Sequence, residues 1–174
     1  MLIVGIGGTT REGSNTELAL RGALSEAERL GAETQLFGGR ELLAQPIYDP
    51  GCETGRTTRT ALVEAVRNAD GLIIASPGYH GSISGLVKNA LDGLEDLRAD
   101  ERPYLDGRAV GLIVSADGGQ AGASTLTALR SIVHALRGWP TPFGVVLNAT
   151  EPNDQDSARL ALVAQQVVEF ARRT

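Results

Sequence analysis

Hydrogen-bond donors gather in one stretch near the start of the chain, Gly7-Gly8-Thr9-Thr10-Arg11-Glu12-Gly13-Ser14-Asn15-Thr16, directly behind the apolar run Leu2–Ile6. A strand, a turn rich in free N–H groups and a helix N-terminus together make an anion cradle, with backbone donors and the helix dipole aimed at the turn. Thr9, Thr10, Ser14, Asn15 and Thr16 add hydroxyl and amide donors, and Arg11 adds charge-assisted ones. The chemistry this pattern suits is holding a phosphate. Gly8 and Gly13 have the Walker separation, but Ser14-Asn15 stands where Lys-Ser/Thr is needed for a β/γ-phosphate and magnesium. Gly5 and Gly7 begin a dinucleotide pattern, but Thr10 replaces its third glycine, and no acidic residue closes the second expected strand to read a ribose diol. A monophosphate fits what remains. Ser14 and Glu17 also spell a helix capping box, a local reading compatible with an anion nearby unless Glu17 turns inward and repels it.

Two further loops carry unusual chemistry: Ser76-Pro77-Gly78-Tyr79-His80-Gly81-Ser82 and Ser115-Ala116-Asp117-Gly118-Gly119-Gln120-Ala121-Gly122. Each also has a plainer reading, Tyr79 as a half-buried aromatic at a strand end and His80 as an idle exposed side chain. With only two histidines and one cysteine, Cys52, neither a disulfide within the chain nor a metal cluster is expected. Cys52 has no base near it in sequence and is taken as a bystander. Lys88 and Asp92, four apart, suggest a surface ion pair. Asn89 suits bracing a neighbouring loop.

The elements that must position these loops alternate between apolar runs and amphipathic segments. Strands are expected at Leu2–Ile6, Glu33–Phe37, Gly71–Ala75, Ala109–Val114 and Pro142–Leu147. Helices are expected at Thr16–Leu30, Thr58–Asn68, from Ile83 onward, at Ala123–Leu136 and at Ser157–Arg172. A long irregular stretch, Gly38–Arg56, stands between the second strand and the next helix, and loops of that length are usually functional. Fully apolar strands between amphipathic helices predict a doubly wound α/β domain over 1–174, with helices on both faces of a five-stranded parallel sheet. Ligands bind such sheets beyond the carboxyl ends of the strands, and in strand order 2-1-3-4-5 the three loops above converge on one crevice.

Composition agrees with a folded protein: 174 residues, 42% hydrophobic, net charge −5. That charge argues against nucleic-acid or acidic-membrane partners. With no apolar stretch of membrane-spanning length and no basic-then-apolar leader, a cytoplasmic location is the expectation.

Three motifs make the chain resemble the NADPH-dependent FMN reductases of flavodoxin-like fold. Gly8 to Asn15 is similar to that family's G-S-x-R-x-x-S-x-N loop, with Thr9 in place of the serine. Pro77 to Asp92 is similar to P-E-Y-x-x-S-x-P-G-x-L-K-N-x-x-D, with Gly78 for the glutamate and Ser84 for the proline. Ser115 to Gly122 is similar to an S-x-x-G-G loop, and Pro46-Ile47-Tyr48-Asp49 to an L-P-x-Y-D segment. The resemblance implies that Thr9, Arg11, Ser14, Asn15 and Thr16 hold an FMN phosphate. It sets Pro77, Gly78, Tyr79, His80 and Gly81 along the isoalloxazine, and Ser115, Gly118 and Gly119 at its pyrimidine side. It implies electron transfer from NADPH or NADH through FMN to a small acceptor: a quinone, azo compound, free flavin, metal oxyanion or oxygen. No side-chain acid or base is required. The alternative is a flavodoxin-like electron carrier that binds FMN without using a nicotinamide directly; a weaker one is a binding protein that has lost the flavin. The resemblance also implies a homodimer or higher homo-oligomer, with the face around Leu86, Leu91 and Leu94 as a candidate surface; the equal alternative is that this face is covered within one chain.

Overall fold

The computed structural model describes residues 1–150 and 153–173. Its elements in chain order are β1 (Leu2–Gly7), α1 (Asn15–Arg29), β2 (Glu33–Phe37), α2 (Gly39–Leu43), α3 (Glu53–Asn68), β3 (Gly71–Tyr79), β4 (Ser82–Ile83), α4 (Gly85–Asp92), a 3-10 turn (Gly93–Leu97), β5 (Ala109–Ala116), α5 (Gly119–Ala135), β6 (Trp139–Pro140), β7 (Val145–Asn148) and α6 (Asp156–Ala171). The sheet runs β2-β1-β3-β5 with parallel pairing, and β6 and β7 both add to the far side of β5. The expected order 2-1-3-4-5 is therefore present.

Side-chain alternation along the strands divides the core between the two faces. Val4 and Ile6 of β1, Leu72 and Ile74 of β3, and Val110, Leu112 and Val114 of β5 pack against Leu62 and Val66 of α3, Val87 and Leu91 of α4, and Leu129 and Val133 of α5. Ile3, Ile73, Ala109 and Ile113 take the other face, under Leu20 and Leu24 of α1 and Val163 and Val167 of α6.

Several element boundaries differ from the sequence expectation. The fifth strand is split: Trp139 and Pro140 pair with Ala109 and Val110, and Val145 to Asn148 pair with Ile113 to Ala116. Pro142 cannot donate to the ladder, and it lies in the gap. The third strand runs on to Tyr79 and folds back into β4 through an antiparallel hairpin. Helix α3 starts five residues before Thr58, because Cys52 caps it: its Sγ accepts from Gly55 N at 3.3 Å. Helix α5 starts at Gly119, so much of the expected Ser115–Gly122 loop is helical.

The face around Leu91 and Leu94 is also corrected. Both are buried in the core, Leu91 at 2% exposure and Leu94 at 0%, with Leu86 packed against them, so these residues form no docking surface.

The sheet end opposite the phosphate loop is pinned by Arg108, just before β5. Its fully buried guanidinium donates to Ala69 O at 2.9 Å, Arg67 O at 2.7 Å, Tyr104 O at 3.2 Å and Asp106 O at 3.5 Å. The last carbonyls of α3 are among these acceptors, so the cation also meets the negative end of that helix. Burial, followed by the nearby Arg102 charge, pulls Arg108 down to about 10, and it stays charged at neutral pH. Arg108→Met keeps the length but strands these carbonyls. It is expected to lower unfolding stability by about 2–4 kcal/mol, measured as a fall in the urea midpoint at unchanged slope; an unmoved midpoint would refute the assignment.

Candidate functional site

Strand β1 ends at Gly7, level with Ala75 of β3, which is in turn level with Ile113 and Val145. Beyond that level β3, β5 and β7 continue while the chain of β1 turns away, leaving a cavity of about 490 Å³ above its end. That volume lies within the ~300–1,000 Å³ range of small-molecule sites. The cavity is lined by Thr9, Thr10, Arg11, Ser14, Asn15 and Thr16 from the first loop, by Pro77, Gly78 and Tyr79 from β3, and by Ser115, Ala116, Asp117, Ala149 and Thr150 from the ends of β5 and β7.

The first loop is held by its own side chains. Thr9 Oγ1 accepts from Arg11 N at 3.1 Å. Ser14 is the N-cap of α1, its buried Oγ accepting from Glu17 N at 3.3 Å, a contact worth about 1 kcal/mol. The reciprocal half of a capping box is missing because Glu17 faces elsewhere. Its Oε1 pairs with Arg21 at 2.7 Å, and its Oε2 accepts from Gly39 N at 3.4 Å. The carboxylate that would repel an anion is thus committed away from the cradle. Asn15 Nδ2 donates to Ala149 O at 2.5 Å and ties the loop to the far edge of the sheet. The Arg11 guanidinium is exposed and has no hydrogen-bond or ion-pair partner among the described residues.

The loop after β2 supports this cradle from behind. A Cβ placed on Gly39 would lie 1.7 Å from Thr9 O, so only glycine admits this approach. Farther along, Asn89 accepts from Tyr48 N at 2.7 Å and donates to Pro46 O at 3.0 Å, the bracing role expected of it. Tyr48 lies under Arg59, 5.1 Å from cation to ring centre, and Arg59, 4% exposed, makes a two-point ion pair with Asp96 at 2.7 and 3.1 Å. The hydrogen bonds that Arg59 donates to Asp96 hold its guanidinium above its ordinary value, and burial raises Tyr48. Lys88 and Asp92 form the expected ion pair at 2.6 Å.

The wall at Gly78 is backbone by necessity. A Cβ there would meet Ala116 Cβ at 2.9 Å and Thr125 Oγ1 at 3.1 Å. The following residues form a two-residue hairpin turn: His80 and Gly81 have φ of 51° and 80°, the combination of a type I′ turn.

Nine of the residues singled out from sequence therefore line one cavity: Thr9, Arg11, Ser14, Asn15, Thr16, Pro77, Gly78, Tyr79 and Ser115. His80 and Gly81 sit in the turn beyond its lining. Gly118 and Gly119 line a second cavity of about 360 Å³, which shares Ala116 with the first. The sequence reading missed Ala149, Thr150 and Asp117 as lining residues. The signal for the first two was their place just past the carboxyl end of the last strand.

The donor set suits FMN on structural grounds: a guanidinium without a partner among the described residues, hydroxyls and the N-terminus of a helix at one end, and the β3 wall Pro77-Gly78-Tyr79 at the other. Among the described residues, no group of three or more His, Cys, Asp or Glu could hold a metal, and no helix is long and apolar enough to cross a membrane.

Comparison with known proteins bears on the family and the fold. The family model described as NADPH-dependent FMN reductase matches residues 1–152. An FMN-dependent NADPH-azoreductase of Staphylococcus saprophyticus is 27% identical over 187 residues, covering 96% of this chain and 93% of the relative. Two solved structures share the fold. The flavoenzyme NAD(P)H:(acceptor) oxidoreductase FerB from Paracoccus denitrificans superposes with a TM-score of 0.78 at 16% identity, covering 99% of this chain and 97% of that one. A Streptococcus pneumoniae flavodoxin does so with a TM-score of 0.69 at 15% identity, covering 97% and 99%.

The contact between Gly39 and the phosphate loop yields a test independent of any ligand. Gly39→Ala should cost about 1–3 kcal/mol, since backbone must move to admit the methyl group. Gly85→Ala, where a Cβ meets nothing within 4 Å, should stay within about 0.5 kcal/mol of the parent. Equal midpoints for the two variants in thermal unfolding would contradict the close approach.

Proposed function

The chain belongs to the NADPH-dependent FMN reductase family, and on that premise we propose that the cavity above the end of β1 seats FMN, with residues 1–174 working as one unit. The activity is that of an FMN-dependent NAD(P)H oxidoreductase serving a small-molecule acceptor. In the proposed arrangement Thr9, Arg11, Ser14, Asn15 and Thr16 hold the phosphate, Pro77 to Gly81 border the ring system, and Ser115, Gly118 and Gly119 approach its pyrimidine side. The observation that carries this reading is Arg11: a guanidinium without a partner among the described residues, just before the N-terminus of α1 and lining a cavity of flavin-compatible volume.

Bound FMN supplies the relay of a hydride equivalent from nicotinamide to acceptor. The protein's own groups bind, orient and exclude. The hydroxyls and Arg11 neutralise the phosphate, and the strand wall at Gly78 presents main chain to the ring without side-chain obstruction. Tyr79, 55% exposed, stands at the rim as a flat apolar surface for whatever stacks there. The overall exchange takes NADPH to NADP⁺ and gives a quinone or azo acceptor two electrons and two protons, the second proton coming from solvent.

Of four arginines that could recognise the 2′-phosphate of NADPH, Arg40, Arg56, Arg98 and Arg102, three are engaged. Arg98 pairs with Glu95, Arg102 donates to Asp106 O and Arg56 to Pro50 O. Arg40 has no partner among the described residues and follows Gly39, which abuts Thr9. Arg40 is the proposed contact. We further propose a cytoplasmic homodimer, whose surface lies away from the buried Leu91 and Leu94; light scattering reads its mass directly, and a monomer at working concentration would refute it.

Purified protein reconstituted with FMN is expected to oxidise NADPH when an azo dye or quinone is supplied. No oxidation with any acceptor would reject the reading. Arg11→Ala should weaken FMN binding about 10- to 100-fold, the loss of charge-assisted hydrogen bonds worth about 1.5–3 kcal/mol, read by quenching of flavin fluorescence. Arg40→Ala should cut the NADPH-over-NADH ratio of kcat/KM about tenfold; an unchanged ratio removes Arg40 from the nucleotide site.

A further inference from the structure

The cavity lining contains two charged side chains among the described residues, Arg11 at the phosphate end and Asp117 where β5 ends. They form no ion pair with each other. Asp117 has no hydrogen bond or ion pair to any described residue, is exposed, and directly precedes Gly118, the N-cap of the 17-residue helix α5. Of the other carboxylates near the site among the described residues, Glu17 is committed to Arg21 and Gly39 N and Asp156 to Arg159 and Asn153 N, while Glu12 is exposed outside the cavity lining. With Arg11 assigned to the phosphate, one uncompensated negative charge stands just past Ser115 and Ala116 at the end of β5, beside the end of the neighbouring strand β3 that carries Gly78 and Tyr79.

We propose that Asp117 is a specificity-determining residue that selects acceptors by charge, disfavouring anionic acceptors against neutral or cationic ones. The inference rests on the reductase reading of this cavity. A like charge at the rim repels an approaching anion, and an opposite one attracts a cation, over distances set by the salt. The same charge, close to the ring, opposes electron uptake by the bound flavin and holds its midpoint potential down. No new bond-making step is involved; Asp117 acts only through its field.

The test compares the holoenzyme with Asp117→Asn, which keeps shape and removes charge, and with Asp117→Lys. The acceptors are 1,4-naphthoquinone and its 2-sulfonate, with NADPH as donor. The quantity read is the ratio of kcat/KM for sulfonate to that for the neutral quinone. At an ionic strength of about 0.01 M, where screening extends ~30 Å, Asp117→Asn should raise this ratio about three- to tenfold and Asp117→Lys more. At about 1 M salt, with screening near 3 Å, the difference should shrink below about twofold. A second readout needs no turnover: spectroelectrochemical titration of bound FMN should show a midpoint potential about 15–30 mV higher in Asp117→Asn, a three- to tenfold change in the reduced-to-oxidised ratio for a two-electron couple. Turnover with an acceptor ratio equal in parent and variants at both salt levels would overturn the inference alone. Loss of FMN affinity in Asp117→Asn with the acceptor ratio unmoved would make Asp117 a flavin ligand and overturn it as well. Absence of turnover with both quinones would instead strike the reductase reading, and this inference with it.

Discussion

The site depends on the registers of a parallel ladder. Gly7, Ala75, Ile113 and Val145 share one level across β1, β3, β5 and β7. Past that level β1 stops, while Pro77 still pairs with Ser115, Ser115 with Leu147 and Ala116 with Asn148. A cavity opens because one strand is shorter than its neighbours at the carboxyl edge. Shifting β3 by a single residue would exchange Ile73 and Ile74 between the two core layers, so burial on both faces locks the register that makes the cavity. The binding geometry is inherited from hydrophobic packing some distance below it.

Electrostatics then shape what the cavity accepts. The first loop and the opening turn of α1 together contain two acids, Glu12 and Glu17, and one base, Arg11, an unpromising balance for an anion. Folding changes that balance. Glu17 is drawn off by Arg21 and by the N–H of Gly39, and Glu12 is exposed outside the residues that line the cavity. What faces inward is Arg11, hydroxyls and the end of α1. The bond from Gly39 N to Glu17 also explains why the loop after β2 belongs to the site although it lines none of it. It clears the carboxylate from the cradle and sets the height of Thr9 in one contact.

Much of the architecture was legible in the sequence, because apolar strands and amphipathic helices have distinct periods that survive tertiary context. The strand order and nine of the cavity residues follow from that pattern and from three motifs. The failures have local causes. The Ser115–Gly122 run reads as a loop by its glycines, yet Gly118 caps a helix and Gly119 to Gly122 enter it. Gly122 is required there, since a Cβ would meet Val146 at 2.3 Å; its signal was packing, not turn chemistry. The split of the last strand needed knowledge of β5, the partner of both halves. Leu91 and Leu94 read as an exposed stripe because periodicity shows which residues share a face and not what covers it. Asp117 lay inside a recognised motif, but sequence gives no indication of which side chains in a loop find partners.

Packing around Gly78 shows how a shared scaffold diverges at its site. The family pattern places a glutamate at this position, whereas here helix α5 lies so close that even a methyl group would press on Ala116 and Thr125. Thr125 is fully buried, and its Oγ1 is the buried side-chain polar atom left without a hydrogen bond among the described residues. Such a group costs about 1–3 kcal/mol, a sign that close packing of α5 against the β3–β5 wall outweighs local satisfaction. On the reading proposed for this cavity, discrimination among acceptors then falls to Tyr79 at the end of β3 and Asp117 just past the end of the neighbouring β5.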